Sequence, residues 1–106
     1  MVLNELFEVI KQRKSTNPEG SYTAYLFNSG VDKILKKVGE ECSETIIAAK
    51  NADKNELANE ISDLTYHLLV LMAQMDMEIS DVEDILKERT KKIGNLKQFK
   101  KTDKNS

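Results

Sequence analysis

Apolar residues recur along this chain at the three- and four-residue spacing of helices that bury one face. Pro18 and Gly30 interrupt the pattern, because Pro cannot continue a helix and Gly readily ends one. The pattern predicts five helices, at about Val2–Gln12, Ser21–Asn28, Val31–Lys50, Asp53–Asp76 and Ser80–Ile93. The polar segments between them allow only tight connections, so the predicted fold class is all-α, an antiparallel helical bundle.

Capping residues support three of these helix starts. Ser21 is a candidate N-cap for the second helix, and Asp53 precedes the fourth with Glu56 as its reciprocal partner. Ser80 and Glu83 form a predicted capping box at the start of the fifth helix, and Gly94 is placed to end it.

The predicted buried face of the third helix is formed by Ile34, Leu35, Val38, Cys42, Thr45, Ile46 and Ala49. Cys42 is the one cysteine of the chain, which excludes an internal disulfide and a cysteine-built zinc site. Its position predicts a small core residue, with a reactive thiol as the alternative.

The fourth helix is apolar on nearly every side from Leu64 to Met75, which predicts burial on every side. One short chain has few helices to cover it, so we expect a homodimer or a higher oligomer. The buried edge predicted for the fifth helix is Ile79, Val82, Ile85 and Leu86.

Acidic residues stand at helical spacing on both sides of a short break around Ala52. Folding the third and fourth helices antiparallel about this residue places Glu44 opposite Glu60, and Glu41 opposite Asp63. Two carboxylates about 4 Å apart repel by roughly 4 kcal/mol at an effective dielectric near 20. An all-oxygen cluster therefore favours a hard cation, Mg²⁺ with Mn²⁺ as the alternative, over a solvated acidic face.

Other polar residues lie near this cluster in the predicted bundle. Lys33 and Lys37 precede the acids on the third helix and suit phosphate oxygens, or ion pairs with the neighbouring glutamates. His67 shares the acidic stripe of the fourth helix, either as a buried hydrogen-bonded side chain or as a ligand-contacting base, with zinc binding a minor alternative. The hydroxyls of Ser21, Tyr22 and Thr23 either contact a ligand or belong to a helix packed on the bundle.

Composition narrows the class of protein further. The formal net charge is −2, aromatic residues are 6% of the chain, and the basic residues gather near its C-terminus. We expect one domain over residues 1–94 and a basic tail over residues 95–106, which either aids solubility or closes over an anionic ligand. Without a long apolar run or basic–aromatic interleaving, we expect a cytoplasmic protein that binds neither membrane nor nucleic acid.

Three segments resemble the phosphoribosyl-ATP pyrophosphohydrolases of histidine biosynthesis. They read SYTA at residues 21–24, DKILKKVGEECSETIIAAKN at residues 32–51 and LANEISDLTYHLLVLM at residues 57–72. The EExxE and ExxD motifs within them are typical of the wider all-α NTP pyrophosphohydrolases. The resemblance implies a four-helix core, an intimate homodimer and Mg²⁺.

It also implies a hydrolase that converts 1-(5-phosphoribosyl)-ATP to 1-(5-phosphoribosyl)-AMP and pyrophosphate, the second step of L-histidine biosynthesis. The implied metal ligands are Glu41, Glu44, Glu60 and Asp63. Glu40 is an extra ligand or the group that orients water. Glu40 and the metal ligand Glu41 are the catalytic candidates. The substrate-binding candidates are Ser21, Tyr22, Thr23, Lys33, Lys37 and His67. The competing hypotheses are a pyrophosphohydrolase of ordinary or damaged NTPs and a helical dimerisation module.

Overall fold

A computed structural model describes residues 1–92, which form α-helices and no strand. The helices are α1 (Val2–Thr16), α2 (Tyr22–Ser29), α3 (Val31–Lys50), α4 (Lys54–Gln74) and α5 (Ile79–Thr90). The all-α class is confirmed. Gly94 and the basic tail at residues 95–106 lie outside the described residues, as does the end of the predicted domain. None of the described helices is both long and apolar enough to cross a membrane.

The third and fourth helices form an antiparallel hairpin, as the sequence predicts. Only Asn51, Ala52 and Asp53 separate them, and Ala52 adopts a left-handed conformation with φ 56° that turns the chain. Asp53 then caps α4 by accepting a hydrogen bond from the Glu56 N–H at 3.0 Å. The turn and the cap together fix which residues of α3 and α4 stand at the same height.

The hydrophobic core lies where α1 and α2 pack against this hairpin. Burying each of its larger side chains stabilises the fold by roughly 1.5–3 kcal/mol. The buried residues of the core are Phe7, Ile10, Leu26, Ile34, Leu69, Val70 and Ala73.

Four helix ends differ from the predicted boundaries, among them α2, which ends at Ser29 and not Asn28, and α5, which ends at Thr90 and not Ile93. α1 continues beyond Gln12 to Thr16, because Pro18 does not prevent the preceding polar residues from being helical. It ends where Asn17 turns left-handed, with φ 49°, and donates its N–H to the Arg13 carbonyl at 2.8 Å. α4 ends at Gln74, two residues before the predicted Asp76.

The predicted capping box of α5 is wrong by two residues. The chain reverses after α4 through Asp76, with φ 57°, so Glu78 is already extended and adjacent to the new helix. Glu78 and Asp81 form the capping box, and the Glu78 N–H donates to the Asp81 carboxylate at 2.8 Å. Helix α5 therefore begins at Ile79, while Ser80 and Glu83 lie within it.

Helix α3 buries only part of the face predicted for it: Ile34 is buried, whereas Leu35 and Ala49 are exposed in the single chain. Its buried residues are Ile34, Glu41 and Ala48, which recur every seven residues. Cys42 is exposed, so the prediction of a core cysteine is wrong. Ile46, on the same predicted face, is 64% exposed. The physical reason is that the hairpin turns the stripe containing Glu41 toward the acids of α4, and this rotates the neighbouring apolar stripe outward.

Helix α5 shows a similar difference. Ile79 is half-buried against the core, but Val82, Ile85 and Leu86 of the predicted buried edge are exposed. Residues 80–90 are all exposed, so none of the other described helices covers this part of α5.

We expect Asp53→Ala to lower the free energy of unfolding by about 1 kcal/mol, because the Glu56 N–H loses its cap at the turn of the hairpin. Denaturant unfolding would measure the change. The control is Asp84→Ala on the exposed α5, which should stay within about 0.5 kcal/mol of the unaltered protein. Equal effects of the two substitutions would contradict the capping role.

Candidate functional site

The hairpin brings three acidic side chains together between α3 and α4. One carboxylate oxygen from each of Glu41, Glu60 and Asp63 lies within 4.8 Å of the others. Glu41 and Glu60 are buried, whereas Asp63 is exposed. The cluster is therefore held inside the hairpin and can be reached from solvent on the Asp63 side.

The other two acids predicted for this site differ in their placement. Glu44 is exposed and close enough to interact with both Glu60 and Glu41. Glu40 is exposed and forms an ion pair with Lys37, with 3.8 Å between Nζ and Oε1. Glu44 thus borders the cluster, while Glu40 faces a lysine of its own helix.

Crowding and burial shift the protonation of these carboxyl groups. The neighbouring Glu44, together with burial and then Glu56 and Glu41, raises the pKa of Glu60 to about 8. Burial, followed by the side-chain hydrogen bond with Glu44, raises the pKa of Glu41. Hydrogen bonds from the carboxyl groups of Glu60 and Glu41 lower the pKa of Glu44. Without a cation, the cluster therefore holds a proton near neutral pH, and a bound divalent ion would replace it.

Two oxygens in the cluster lack the partners that buried polar atoms normally have. Glu41 Oε2 and Glu60 Oε2 are buried and accept no hydrogen bond from the described residues. Such an atom costs about 1–3 kcal/mol, and more when charged. A cation would satisfy both oxygens, so the residues present fit a metal. Their all-oxygen chemistry suits Mg²⁺ or Mn²⁺.

A cavity of about 340 Å³ opens beside the cluster, at the turn end of the hairpin. Glu44 and Glu60 contribute to its lining. A group bound to the acids could extend into this space.

His67 lies one helical turn after Asp63 on α4 and is buried. Its Nδ1 is 2.7 Å from the Asp63 backbone oxygen, and its Nε2 is 3.2 Å from the Tyr22 hydroxyl. Since a carbonyl only accepts, Nδ1 carries the hydrogen, and in the neutral ring Nε2 accepts from Tyr22. Of the two alternatives predicted for His67, the buried, hydrogen-bonded side chain is confirmed, while its contact with a ligand stays a prediction.

The hydroxyls predicted to contact a ligand are engaged within the protein. The Ser21 hydroxyl accepts from the Ala24 N–H at 3.2 Å and caps α2, as predicted. Thr23 shares a hydrogen bond with the Tyr66 hydroxyl, which ties α2 to α4. These contacts confirm that the short helix packs on the bundle, while its contact with a ligand stays a prediction.

The two lysines predicted to offset phosphate charge lie along α3. Lys37 pairs with Glu40, and the ammonium of Lys33 lies 5.9 Å from the centre of the Tyr25 ring. Lys33, followed by Ser29, lowers the pKa of the Tyr25 hydroxyl. Their interaction with a ligand stays a prediction.

Sequence reasoning overlooked two residues of this region. Tyr66 was expected only to pack, but it bonds Thr23, and its ring lies 4.9 Å from the His67 ring. Glu56 was expected only at the helix cap, but it helps to raise the pKa of Glu60. The four-residue spacing from Glu56 to Glu60 was the available signal.

The raised pKa of Glu60 predicts how stability depends on pH in the metal-free protein. Between its ordinary value of 4.5 and about 8, folded Glu60 keeps a proton that unfolded Glu60 loses. The free energy of unfolding should therefore fall as pH rises through this window. Urea unfolding with a chelator would measure the slope, which Glu60→Gln should flatten and Glu83→Gln on exposed α5 should not. An unchanged slope in Glu60→Gln would contradict the raised pKa.

Comparison of the sequence with known proteins finds a matching family and several similar proteins. Residues 3–90 match the family described as phosphoribosyl-ATP pyrophosphohydrolase. A phosphoribosyl-ATP pyrophosphatase of Clostridium botulinum is 54% identical over 101 residues, covering 95% of this chain and 92% of the relative. Another, from Listeria monocytogenes serotype 4a, is 54% identical over 99 residues, covering 93% and 95%.

A bifunctional relative matches over part of its length. The histidine biosynthesis bifunctional protein HisIE of Bacillus subtilis is 58% identical over 92 residues, which cover 87% of this chain and 44% of that protein. With the family match spanning nearly all the described residues, this chain belongs to the phosphoribosyl-ATP pyrophosphohydrolase family.

Proposed function

We propose that this protein hydrolyses 1-(5-phosphoribosyl)-ATP to 1-(5-phosphoribosyl)-AMP and pyrophosphate, with Mg²⁺ held by Glu41, Glu44, Glu60 and Asp63. The observation that carries the proposal is the cluster of Glu41, Glu60 and Asp63, two of whose buried oxygens lack partners. The names of the relatives supply the substrate. The cytoplasmic location stays a prediction.

The reaction needs a nucleophile, a stabilised leaving group and bound phosphates. Direct attack by water is the simplest route, because neither Cys42 nor Ser21 is placed to act as a nucleophile. Cys42 is exposed on a different face of α3 from Glu41, and the Ser21 hydroxyl caps α2. Water adds to phosphorus as the α–β anhydride bond breaks and pyrophosphate leaves. The metal, when bound, neutralises charge on the phosphates and lowers the pKa of water.

The remaining roles follow from position along α3. Lys37 and Lys33 lie one and two turns before Glu41 and would offset the charge of phosphates that reach beyond the metal. Glu40, exposed beside Lys37, is the candidate for orienting the attacking water or for an extra ligand. The cluster residues themselves would hold the metal and leave the attack to water.

We expect Glu60→Gln to lower kcat/KM roughly 100- to 10,000-fold, because metal stabilisation of phosphate charge is worth several kcal/mol. Pyrophosphate release from phosphoribosyl-ATP measures the rate, and circular dichroism checks that the helices persist. Glu83→Gln on α5 is the matched control.

Canonical NTPs distinguish the proposed enzyme from a general nucleotide pyrophosphohydrolase. The proposal expects Mg²⁺-dependent pyrophosphate release from phosphoribosyl-ATP and not from ATP. A Glu60→Gln variant with near-normal activity would contradict the metal site and leave the helical dimerisation module as the alternative.

We also propose that the protein is a homodimer. Ile61 and Leu68 on α4, and Met75 directly after its end, recur every seven residues and are 47%, 42% and 60% exposed. Leu35 and Ile46 form a similar exposed stripe on α3.

The two stripes point to the same side of the hairpin. On each helix the exposed stripe is rotated by about 100° from the stripe that faces the other helix. On α3, Cys42 in the exposed stripe comes one residue after Glu41, and on α4, Ile61 comes one residue after Glu60. In antiparallel helices this equal rotation turns both stripes to one side. Together they form an apolar face that a second copy could cover, which supports the intimate homodimer and a core of four helices at its centre.

We expect Ile46→Glu to shift the protein toward monomer, because a charge would be buried in the interface without a partner. Light scattering at several protein concentrations measures the mass. Ile85→Glu on α5 is the control, since Ile85 is 56% exposed and Ile46 64%. A folded monomer before any substitution would contradict the dimer.

A further inference from the structure

All three tyrosines of the chain gather in one aromatic cluster between α2 and α4. The ring centre of Tyr22 lies 6.0 Å from that of Tyr25 and 6.2 Å from that of Tyr66. The His67 ring meets the Tyr22 ring edge-on at 6.0 Å. Aromatic rings at these distances orient one another, so the cluster has a defined shape.

Two of these rings are open to solvent. Tyr22 and Tyr25 are 47% and 48% exposed, whereas His67 behind them is buried and Tyr66 is partly buried. They stand three residues apart on α2, and therefore on one face of it. We call the exposed rings of Tyr22 and Tyr25 the tyrosine shelf.

The contact with His67 decides what Tyr22 can offer a ligand. The His67 Nδ1–H donates to the Asp63 carbonyl at 2.7 Å, and Nε2 on the other side of the ring lies 3.2 Å from the Tyr22 hydroxyl. Tyr22 therefore already uses its hydroxyl in a contact within the protein. Its free surface is the ring, which is apolar and flat.

The shelf adjoins the acidic cluster. His67, which holds Tyr22, follows the metal-ligand candidate Asp63 by four residues, about 6 Å along the α4 axis. The Lys33 ammonium lies over the Tyr25 ring, 5.9 Å from its centre, and puts a positive charge on one face of the shelf. A flat aromatic surface that carries a cation and adjoins a carboxylate cluster suits a ligand with a flat ring at one end and a metal-bound phosphate chain at the other.

We propose that the tyrosine shelf stacks against the purine base of the nucleotide whose phosphates bind at the acidic cluster. The inference rests on the proposed function and adds the recognition of the base to it. Stacking on an aromatic ring needs no hydrogen bond from the tyrosines, which agrees with the engagement of the Tyr22 hydroxyl by His67. Lys33 would lie beside a phosphate of the same nucleotide.

Intrinsic fluorescence tests the proposal directly, because the chain has no tryptophan and every tyrosine belongs to this cluster. The probes are a hydrolysis-resistant α,β-methylene analogue of phosphoribosyl-ATP and inorganic triphosphate, each with Mg²⁺. We expect the analogue to change tyrosine emission saturably and triphosphate, which has no base, to leave it unchanged. Equal changes with both probes would overturn the proposal.

Kinetics of shelf variants supply a second test. Tyr25→Leu removes one ring and should raise KM for phosphoribosyl-ATP roughly 5- to 100-fold, whereas Tyr25→Phe keeps the ring and should raise it much less. Val9→Ala on α1 is the control for a change at an exposed apolar position elsewhere. Circular dichroism and light scattering check the fold and the mass of each variant.

The outcomes separate this proposal from the proposed function. If Tyr22→Leu and Tyr25→Leu both keep the original KM, the shelf does not hold the base, while Mg²⁺-dependent hydrolysis stands. A change in mass with KM unchanged would make the shelf a subunit contact and overturn the proposal. If the unaltered protein binds the analogue at the shelf but hydrolyses no phosphoribosyl-ATP, the proposed function fails and base recognition is supported.

Discussion

The repulsion among carboxylates inside the α3–α4 hairpin is the constraint that organises this protein. Glu41 and Glu60 are buried beside Asp63, where two of their oxygens have no partner among the described residues. Hydrophobic packing holds these acids together, since Ile34, Leu69 and Val70 bury the hairpin against α1 and α2. The fold thus keeps together charges that would separate in water, which is what a site preorganised for a cation requires.

The same constraint accounts for the side of the hairpin that remains apolar. Turning Glu41 and Glu60 toward each other rotates the stripes that contain Ile46 and Leu68 away from the core. The orientation of α3 and α4 about their axes therefore determines both that Glu41 and Glu60 face each other and that the apolar stripes face outward. The proposed catalytic site and the surface proposed for dimer formation are therefore linked, because neither helix can rotate without changing both.

Much of this could be predicted from the sequence, because the governing rules are local. The caps at Ser21 and Asp53, the extent of α3 and the opposition of acids across the turn follow from helical periodicity and a short connection. The start of α5 was missed, because the left-handed turn at Asp76 decides where that helix begins. The outward position of Cys42 was missed because periodicity finds an apolar face but not what covers it.

A crystal structure of the protein grown with Mn²⁺ tests the central claim most directly, because anomalous scattering locates the ion independently of the protein density. The account predicts one or more ions bound to oxygens of Glu41, Glu60 and Asp63, with Glu44 at the border of the site. Carboxylates that point apart, with Mn²⁺ bound elsewhere or not at all, would contradict it.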